Sequence, residues 1–585
     1  MSNQELAYTI YCNGKKLDDS FELVSASVRS GLNRIGKATL IFNAGNMDKQ
    51  TFDESDSDAF IPGNSLRLDA GNINKQTTLF DGVIISVGIC AGRDTRSQMI
   101  VECGDAFYPA TLSKKCCIFK DQTDSDMIKK VLSPYGNVTV ETTSYQHPQF
   151  MQYNVSDWAF ARRCATACGM CTRIEGKNIE IVPPKVSGTP AITIIMGSNL
   201  IAFDVKLTGR NLASENEAVS WDYTDQSVAM ASASLPTLNE QGDLEPSKIA
   251  AIDTRLWQTD ATIDTTALEL WTNGQALFTG LSRYEGTLEF EGCTEVKPGC
   301  LIELKSFGKR FDGLAFVGTV TQLLQDNLLT TKVSLGIPNE DDDDEYTAKS
   351  YNAPRFVSPI HGPHIGIVKQ LQGDPANQYR ILVEFPWMQE SENKELWARH
   401  ASPYATKDAG VVLLPEIGDE VVVVFGDNNP ANVIIIGSLY SSQLPPPITN
   451  DDKNIHKMLK TMSGLTIECN EEKKIISIAT PAGNKWEIND SDKCICSTDQ
   501  HGNIISMNSN GITLKSAKDI QLKTQGQFTA DATGDAKLTT KANMTLEGIT
   551  IKGNAKTQLE LKAAVKAELS ANTQTIIKGG MVMIN

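Results

Sequence analysis

Aromatic residues all but vanish from the last quarter of this 585-residue chain: after Tyr440 only Trp486 and Phe528 remain, and arginine is absent there altogether. A segment so poor in large rings cannot build an ordinary globular core, so its order must come from small apolar side chains in a narrow space. Long apolar runs are missing too. The best of them, residues 421–425 and 433–436, are far too short to span a bilayer, and the opening MSNQELAYTIYCNGKK has neither the basic nor the apolar part of a signal peptide. The chain is therefore expected to be made in the cytoplasm as a soluble protein. It also lacks basic excess, with 54 Lys plus Arg against 71 Asp plus Glu and a net charge of −17. That excludes nucleic acid as a partner, because phosphate binding draws on Lys and Arg. The acidity lies in the first three quarters, since residues 448–585 carry 17 Lys against 15 Asp plus Glu. Nor do the 13 cysteines make an even disulfide framework. Cys12, Cys103, Cys469, Cys494 and Cys496 sit in apolar patterns and read as reduced, small core residues.

Catalytic signatures are missing as well. There is no Gly-x-Ser-x-Gly elbow, no Walker loop and no His-Glu-x-x-His. Cys164, Cys168 and Cys171 have the spacing of a radical-SAM cluster motif. They continue a helix that begins at Ser156, however, and positions i and i+4 share a helix face, so Cys164 and Cys168 read as core residues. His361-Gly-Pro-His364 and Cys116-Cys117 have no partners at zinc-site spacing. The acidic run from Pro338 to Glu345 lacks the glycine and spaced ligands of a calcium loop and reads as a solvated linker. No catalytic, cofactor-binding or metal-ligating residue is expected, and the chain is expected not to be an enzyme. The rival of a different class, a glycan-hydrolysing tailspike on a β-helical stalk, needs two carboxylates set across a groove. No such pairing can be inferred from sequence.

What is present is mainly β. Residues 1–337 read as short alternating strands, for example 38–42, 65–68, 78–87 and 314–323. Two helices are expected among them: Asp124–Leu132, capped by Asp124 or Ser125, and a second from Ser156 to about Cys168, stopped by Gly169. An acidic linker, 338–352, leads to a compact all-β unit at 353–440. Its strands are expected at 366–369, 379–384, 420–425 and 433–437, and roughly five strands in so short a span suggest a small OB-type barrel. A stiff Pro-rich linker follows at 441–449.

The remainder, 450–585, contains a repeat. From Gly511 in steps of eight the sequence reads GITLKSAK, DIQLKTQG, QFTADATG, DAKLTTKA and NMTLEGIT. The second place holds Ile512, Ile520, Phe528, Ala536 and Met544, and the fourth holds Leu514, Leu522, Ala530, Leu538 and Leu546. Spacing of i, i+2 means a strand with one buried face, and the fixed return means a repeat architecture. Eight residues cannot close a coil around their own axis. Three chains can share each rung, so these ten residues are expected to form the core of a trimeric, intertwined triple-stranded β-helix. After Met544 the octad loses phase (Leu559 and Leu561, then Val565 and Leu569, then Ile576 and Ile577), which predicts a less regular distal end. Helical propensity at 559–570 gives the alternative of an amphipathic helix.

Leu414-Pro-Glu-Ile-Gly-Asp-Glu-Val-Val-Val-Val-Phe-Gly-Asp-Asn-Asn-Pro430, followed by Val433-Ile-Ile-Ile-Gly-Ser-Leu-Tyr440, resembles the spike base of the VgrG family of type VI secretion and related phage-tail spikes. Tyr379-Arg-Ile-Leu-Val-Glu-Phe-Pro-Trp387, Trp397-Ala-Arg-His-Ala-Ser-Pro-Tyr404 and, upstream, Gln152-Tyr-Asn-Val-Ser-Asp-Trp-Ala-Phe-Ala-Arg-Arg163 are similar to further segments of that family. The resemblance implies a homotrimeric spike of a contractile injection machine, with a tail-hub-like domain seated on a hexameric, Hcp-like tube protein and on baseplate components. It also implies a needle capped by a PAAR-type tip protein, carriage of effectors with their chaperones, and export by the machine to the exterior or into a target cell. The tip contact is expected at Met581, Val582, Met583, Ile584 and Asn585. Only 441–449 separates barrel from needle, leaving no room for the lysozyme domain that some phage spikes insert. A terminal His-x-His iron site is excluded because the last histidine is His501. The spike of an extracellular contractile particle or of a phage tail is the alternative setting.

Overall fold

The computed structural model describes residues 6–584 apart from 47–48, 73–74, 92–96 and 339–359. The acidic linker therefore lies, but for Pro338, outside the described residues, as does Asn585. The chain divides into two compact units, Met1–Ile448 and Thr449–Asn585.

In the first unit a thirteen-stranded sheet begins at Leu200–Leu207 and passes through Tyr284–Glu291, Leu328–Leu335 and Gly313–Gln325 to Leu23–Gly31. It continues through Lys37–Asn43, Gln98–Asp105, Lys75–Cys90 and Ser65–Asn72 to Leu6–Cys12 and Lys15–Lys16, while Thr193–Ile195 and Leu301–Lys305 join beside Gly313–Gln325. Strict alternation fixes its inner face: Ala38, Leu40 and Phe42 stand opposite Cys103, Val101 and Met99, and all six are buried. Gly31 pairs with Thr319, so strands from the two ends of this region share one ladder.

The helices Asp124–Leu132 and Asp157–Ala167 form where expected, with one correction. Thr123, not Asp124 or Ser125, caps the first, its Oγ1 accepting from the Asp126 N–H at 3.2 Å. Ser156 caps the second by accepting from the Ala159 N–H at 3.2 Å. The segment from Gln152 to Trp158 is built around a buried carboxylate. Asp157 accepts from the Lys115 Nζ at 2.6 Å, the Tyr135 hydroxyl at 2.8 Å and the Gln152 amide at 3.0 Å, and Trp158 is buried beside it. A long helix that the sequence reading missed, Thr265–Leu281, packs against the three-stranded sheet of Ser227–Ser234, Ala213–Asp222 and Ile252–Thr259. Gly169 and Gly274 touch where it meets the end of Asp157–Ala167: a Cβ on Gly274 would lie 2.5 Å from the Gly169 Cα, and Gly169 has φ +70°.

The small barrel closes through His364–Gln370, Ile381–Glu384, Glu395–His400, Val433–Ser438 and Glu420–Phe425. Glu395–His400 is the strand missing from the expected set. Val368, Ile381, Val383, Phe385, Leu396, Ala398, Val421, Val423 and Ile435 fill the interior, and Ile118 and Met151 of the large region join the same apolar cluster. The side-chain amide of Gln149 brackets Trp397, donating to its carbonyl at 3.0 Å and accepting from its N–H at 2.9 Å. The barrel thus shares a core and hydrogen bonds with the two-stranded sheet of Lys114–Thr123 and Gln146–Ser156. Among the described residues no helix is long and apolar enough to cross a membrane.

Candidate functional site: the exposed apolar rows of the second unit

Thr449–Asn585 opens with a seven-stranded antiparallel meander: His456–Lys460, Thr466–Asn470, Ile475–Ala479, Lys485–Asn489, Cys494–Thr498, Ile504–Asn508 and Gly511–Lys515. Its register lines up two rows on one face. Leu459, Ile467, Ile478, Trp486, Ser497, Ile505 and Leu514 make one row, and Lys457, Cys469, Ile476, Ile488, Ile495, Met507 and Ile512 make the other, apolar from its second strand onward. The row pointing to the opposite face, Met458, Glu468, Ser477, Glu487, Cys496, Ser506 and Thr513, is mostly polar. The apolar face is bare in the single chain: Leu459, Ile467, Ile476, Ile478, Trp486, Ile505 and Met507 are all exposed. An uncovered surface of that extent marks an interface.

Ile512 and Leu514 lie on the last strand, where they end the two rows. Ile520, Leu522, Phe528, Ala530, Ala536, Leu538, Met544 and Leu546 follow in stretches without regular structure between short bends, all exposed and with no strand partner among the described residues. Met581, Val582, Met583 and Ile584 are exposed too. Sequence reasoning missed that the paired apolar rows begin at Leu459. The meander strands start seven to ten residues apart and never eight, so a count of eight does not find them although the i, i+2 pairing is kept.

The other candidates are built into the fold of the first unit. Cys164 lies on the Asp157–Ala167 helix, Cys168 caps it and Cys171 opens the strand Cys171–Glu175. Burial pushes all three thiols up, Cys171 to about 12, away from the reactive thiolate. Cys116 accepts from the Asn154 N–H, and Ser391 donates to Cys117. His361 bonds the Asn428 side chain at 3.1 Å, while His364 bonds the His361 carbonyl at 3.2 Å and packs on Tyr153, Trp387 and Phe425. A cavity of about 180 Å³ lies between the helices and the barrel, lined by Tyr145, Tyr223, Trp397, Arg399, Cys168 and the hydrogen-bonded pair His147 and Asp124, 2.9 Å apart. Its thiol is the deactivated Cys168. Among the described residues no three His, Cys, Asp or Glu side chains converge as a metal site.

Residues 2–326, more than half of the chain, match the Alg8 N-terminal domain family, and 364–440 match the type VI secretion system/phage-baseplate injector OB domain. The chain belongs to the Alg8 N-terminal domain family and is a VgrG-family protein. Two spike proteins are similar in sequence. VgrG1c of Pseudomonas aeruginosa is 33% identical over 97 residues, 16% of this chain and 13% of that protein, and VgrG3 of Vibrio cholerae is 32% identical over 108 residues, 17% and 11% respectively. The actin cross-linking toxin VgrG1 of Vibrio cholerae is 29% identical over 114 residues, 18% of this chain and 10% of the toxin. This VgrG-family chain thus matches only a small fraction of the length of its curated relatives. In fold it is similar to chains of the Francisella PdpA–VgrG complex. The lidless form gives a TM-score of 0.51 at 11% identity, covering 88% of this chain and 98% of that one, and the lidded form 0.52 at 10% identity, covering 88% and 80%.

Proposed function

We propose that this chain is one third of the spike of a type VI secretion-like contractile injection machine, with the second unit forming a trimeric, cell-puncturing needle. The observation that carries the reading is the pair of mainly apolar, largely uncovered rows in register on one face of the seven-stranded meander, continued by octads that have no strand partner among the described residues. Burial stabilises by about 1.5–3 kcal/mol per Leu or Ile side chain, which a lone copy forgoes at every rung. Three copies facing inward cover both rows and supply partners to the unpaired backbone. The role is structural, not enzymatic, and the curated relatives named as spike proteins support it. Partners in this reading are a hexameric, Hcp-like tube protein, baseplate components, effectors with their chaperones, and a PAAR-type tip protein. The exposure of Met581, Val582, Met583 and Ile584 supports the tip contact. The protein is made in the cytoplasm and leaves with the machine.

Leu538→Asp tests the needle, because it brings three carboxylates together on the axis. Size measurement in solution is expected to show loss of the trimer, and an unchanged trimer would remove the basis of the proposal. A free particle or phage tail is the second setting, favoured by the baseplate part of the OB-domain match. Recovery of assembled spikes in sheathed particles from culture supernatant, not from cell envelopes, would decide for it.

A further inference from the structure

Between Ser516 and Ile584 the chain bends at 517–518, 525–526, 533–534, 541–542, 549, 556–557, 564–565, 572–573 and 580–581. Each bend takes two residues except the one at Ile549, which takes one. The distal third therefore does not abandon the octad: one repeat is a residue short, and the shortage falls inside the bend. Counting on from that bend, the second and fourth places hold Ile551 and Gly553, Leu559 and Leu561, Ala567 and Leu569, then Thr575 and Ile577, with Met583 next.

We infer that the copy-to-copy face runs in phase from Leu459 to Met583, and that Ile551, Leu559, Leu561, Ala567, Leu569, Ile577 and Met583 face the other two copies of this chain. This rests on the trimeric reading above. Two arguments carry it beyond that reading. First, side chains alternate with period two, so a residue lost within an extended stretch would turn every later side chain to the wrong face, whereas loss within a bend leaves the faces unchanged. Second, an unbroken count of eight from Met544 and Leu546 would place Lys552, Glu560, Lys562, Glu568 and Lys578 on the axis, each meeting two like charges. With the short repeat these charges fall at the outward third and fifth places, and aliphatic or small residues take the inward places. The inward positions also exclude Val565 and Ile576, which lie in a bend and at an outward third place.

The test uses the full-length chain and trypsin, since Lys552, Lys556, Lys562, Lys566 and Lys578 report on the distal segment. Leu569→Asp is expected to speed cleavage there by about tenfold or more, because proteolysis follows the population of the opened form. Glu568→Ala and Val565→Asp are expected to leave the rate unchanged within about twofold. Size measurement is expected to show all three still trimeric through the proximal repeats, which separates local opening from general misfolding. Rapid cleavage in Glu568→Ala or Val565→Asp, or resistance in Leu569→Asp, would overturn the phase assignment. Leu538→Asp run alongside keeps the two claims apart: if it remains trimeric the trimeric reading fails, and if it dissociates while Leu569→Asp stays resistant only the phase assignment fails.

Discussion

The two units handle the same apolar side chains in opposite ways. In Met1–Ile448, Leu40, Leu66, Leu68, Phe385 and Val423 are buried within the single chain, behind a second layer of strand or helix. In Thr449–Asn585 the equivalent face of Ile467, Ile478, Ile505, Leu514 and Leu538 has nothing over it. The first closes its cores within the single chain. The second has the strand pattern of a core but only one wall of it, and in the trimeric reading proposed above its stability is inseparable from assembly and from protomer concentration.

Several changes would break or sharpen that contrast. The largest effect is expected from Leu522→Asp, which should abolish the trimer in sedimentation or light scattering while the Met1–Ile448 unit keeps its thermal transition. If that transition disappears with the trimer, the two units are not independent. Phe385→Ala, in the barrel interior, should do the reverse. It is expected to lower the stability of the first unit by about 3–5 kcal/mol in denaturant unfolding, with the trimer intact. Gln149→Ala removes both hydrogen bonds to the Trp397 backbone and should cost about 1–3 kcal/mol in the same measurement, because a strand N–H and C=O lose their partner.

Asp374 gives a smaller, pH-dependent effect. Its burial alone would raise the carboxyl pKa, but the Arg380 guanidinium and the N–H groups of Ala376, Gln378 and Arg380 outweigh that and hold it well below the usual carboxylate range. A depressed folded value stabilises above the unfolded value of about 3.9 and is lost as pH falls through the folded one. Denaturation midpoints should therefore drop as pH is lowered below about 4, and Asp374→Asn should flatten that slope while lowering stability at neutral pH. The smallest effect belongs to the ion pair of Lys130 and Glu392, 3.0 Å apart and well exposed. Lys130→Ala should leave the melting temperature essentially unchanged.

The barrel was legible in the sequence because its strands are short apolar runs and its turns carry Gly418, with φ +96°, and the sequence Gly426-Asp-Asn-Asn-Pro430. Thr265–Leu281 was not. Its Thr and Gly residues have poor helix propensity, and Gly274 makes sense only once Gly169 is seen against it. The cap at Thr123 was misplaced by one or two residues because Thr123, Asp124 and Ser125 are all good capping types, and sequence cannot say whose side-chain oxygen reaches the first turn. In the second unit the octads were readable from Gly511 to Leu546, where both apolar places repeat. The meander was hidden by strand starts that are never eight residues apart, and the distal repeats by the one residue missing at Ile549, a loss that looks like disorder until the bends are located.

If the second unit forms the proposed needle, that short repeat has a consequence for how the needle changes over time. Stability in a stack of near-identical rungs is close to a sum of neighbour terms. A residue dropped between rungs is absorbed locally, and every rung beyond it keeps its facing. Length is then a quantity that can drift freely, by whole repeats or by single residues at the bends, without any redesign of the body that carries it.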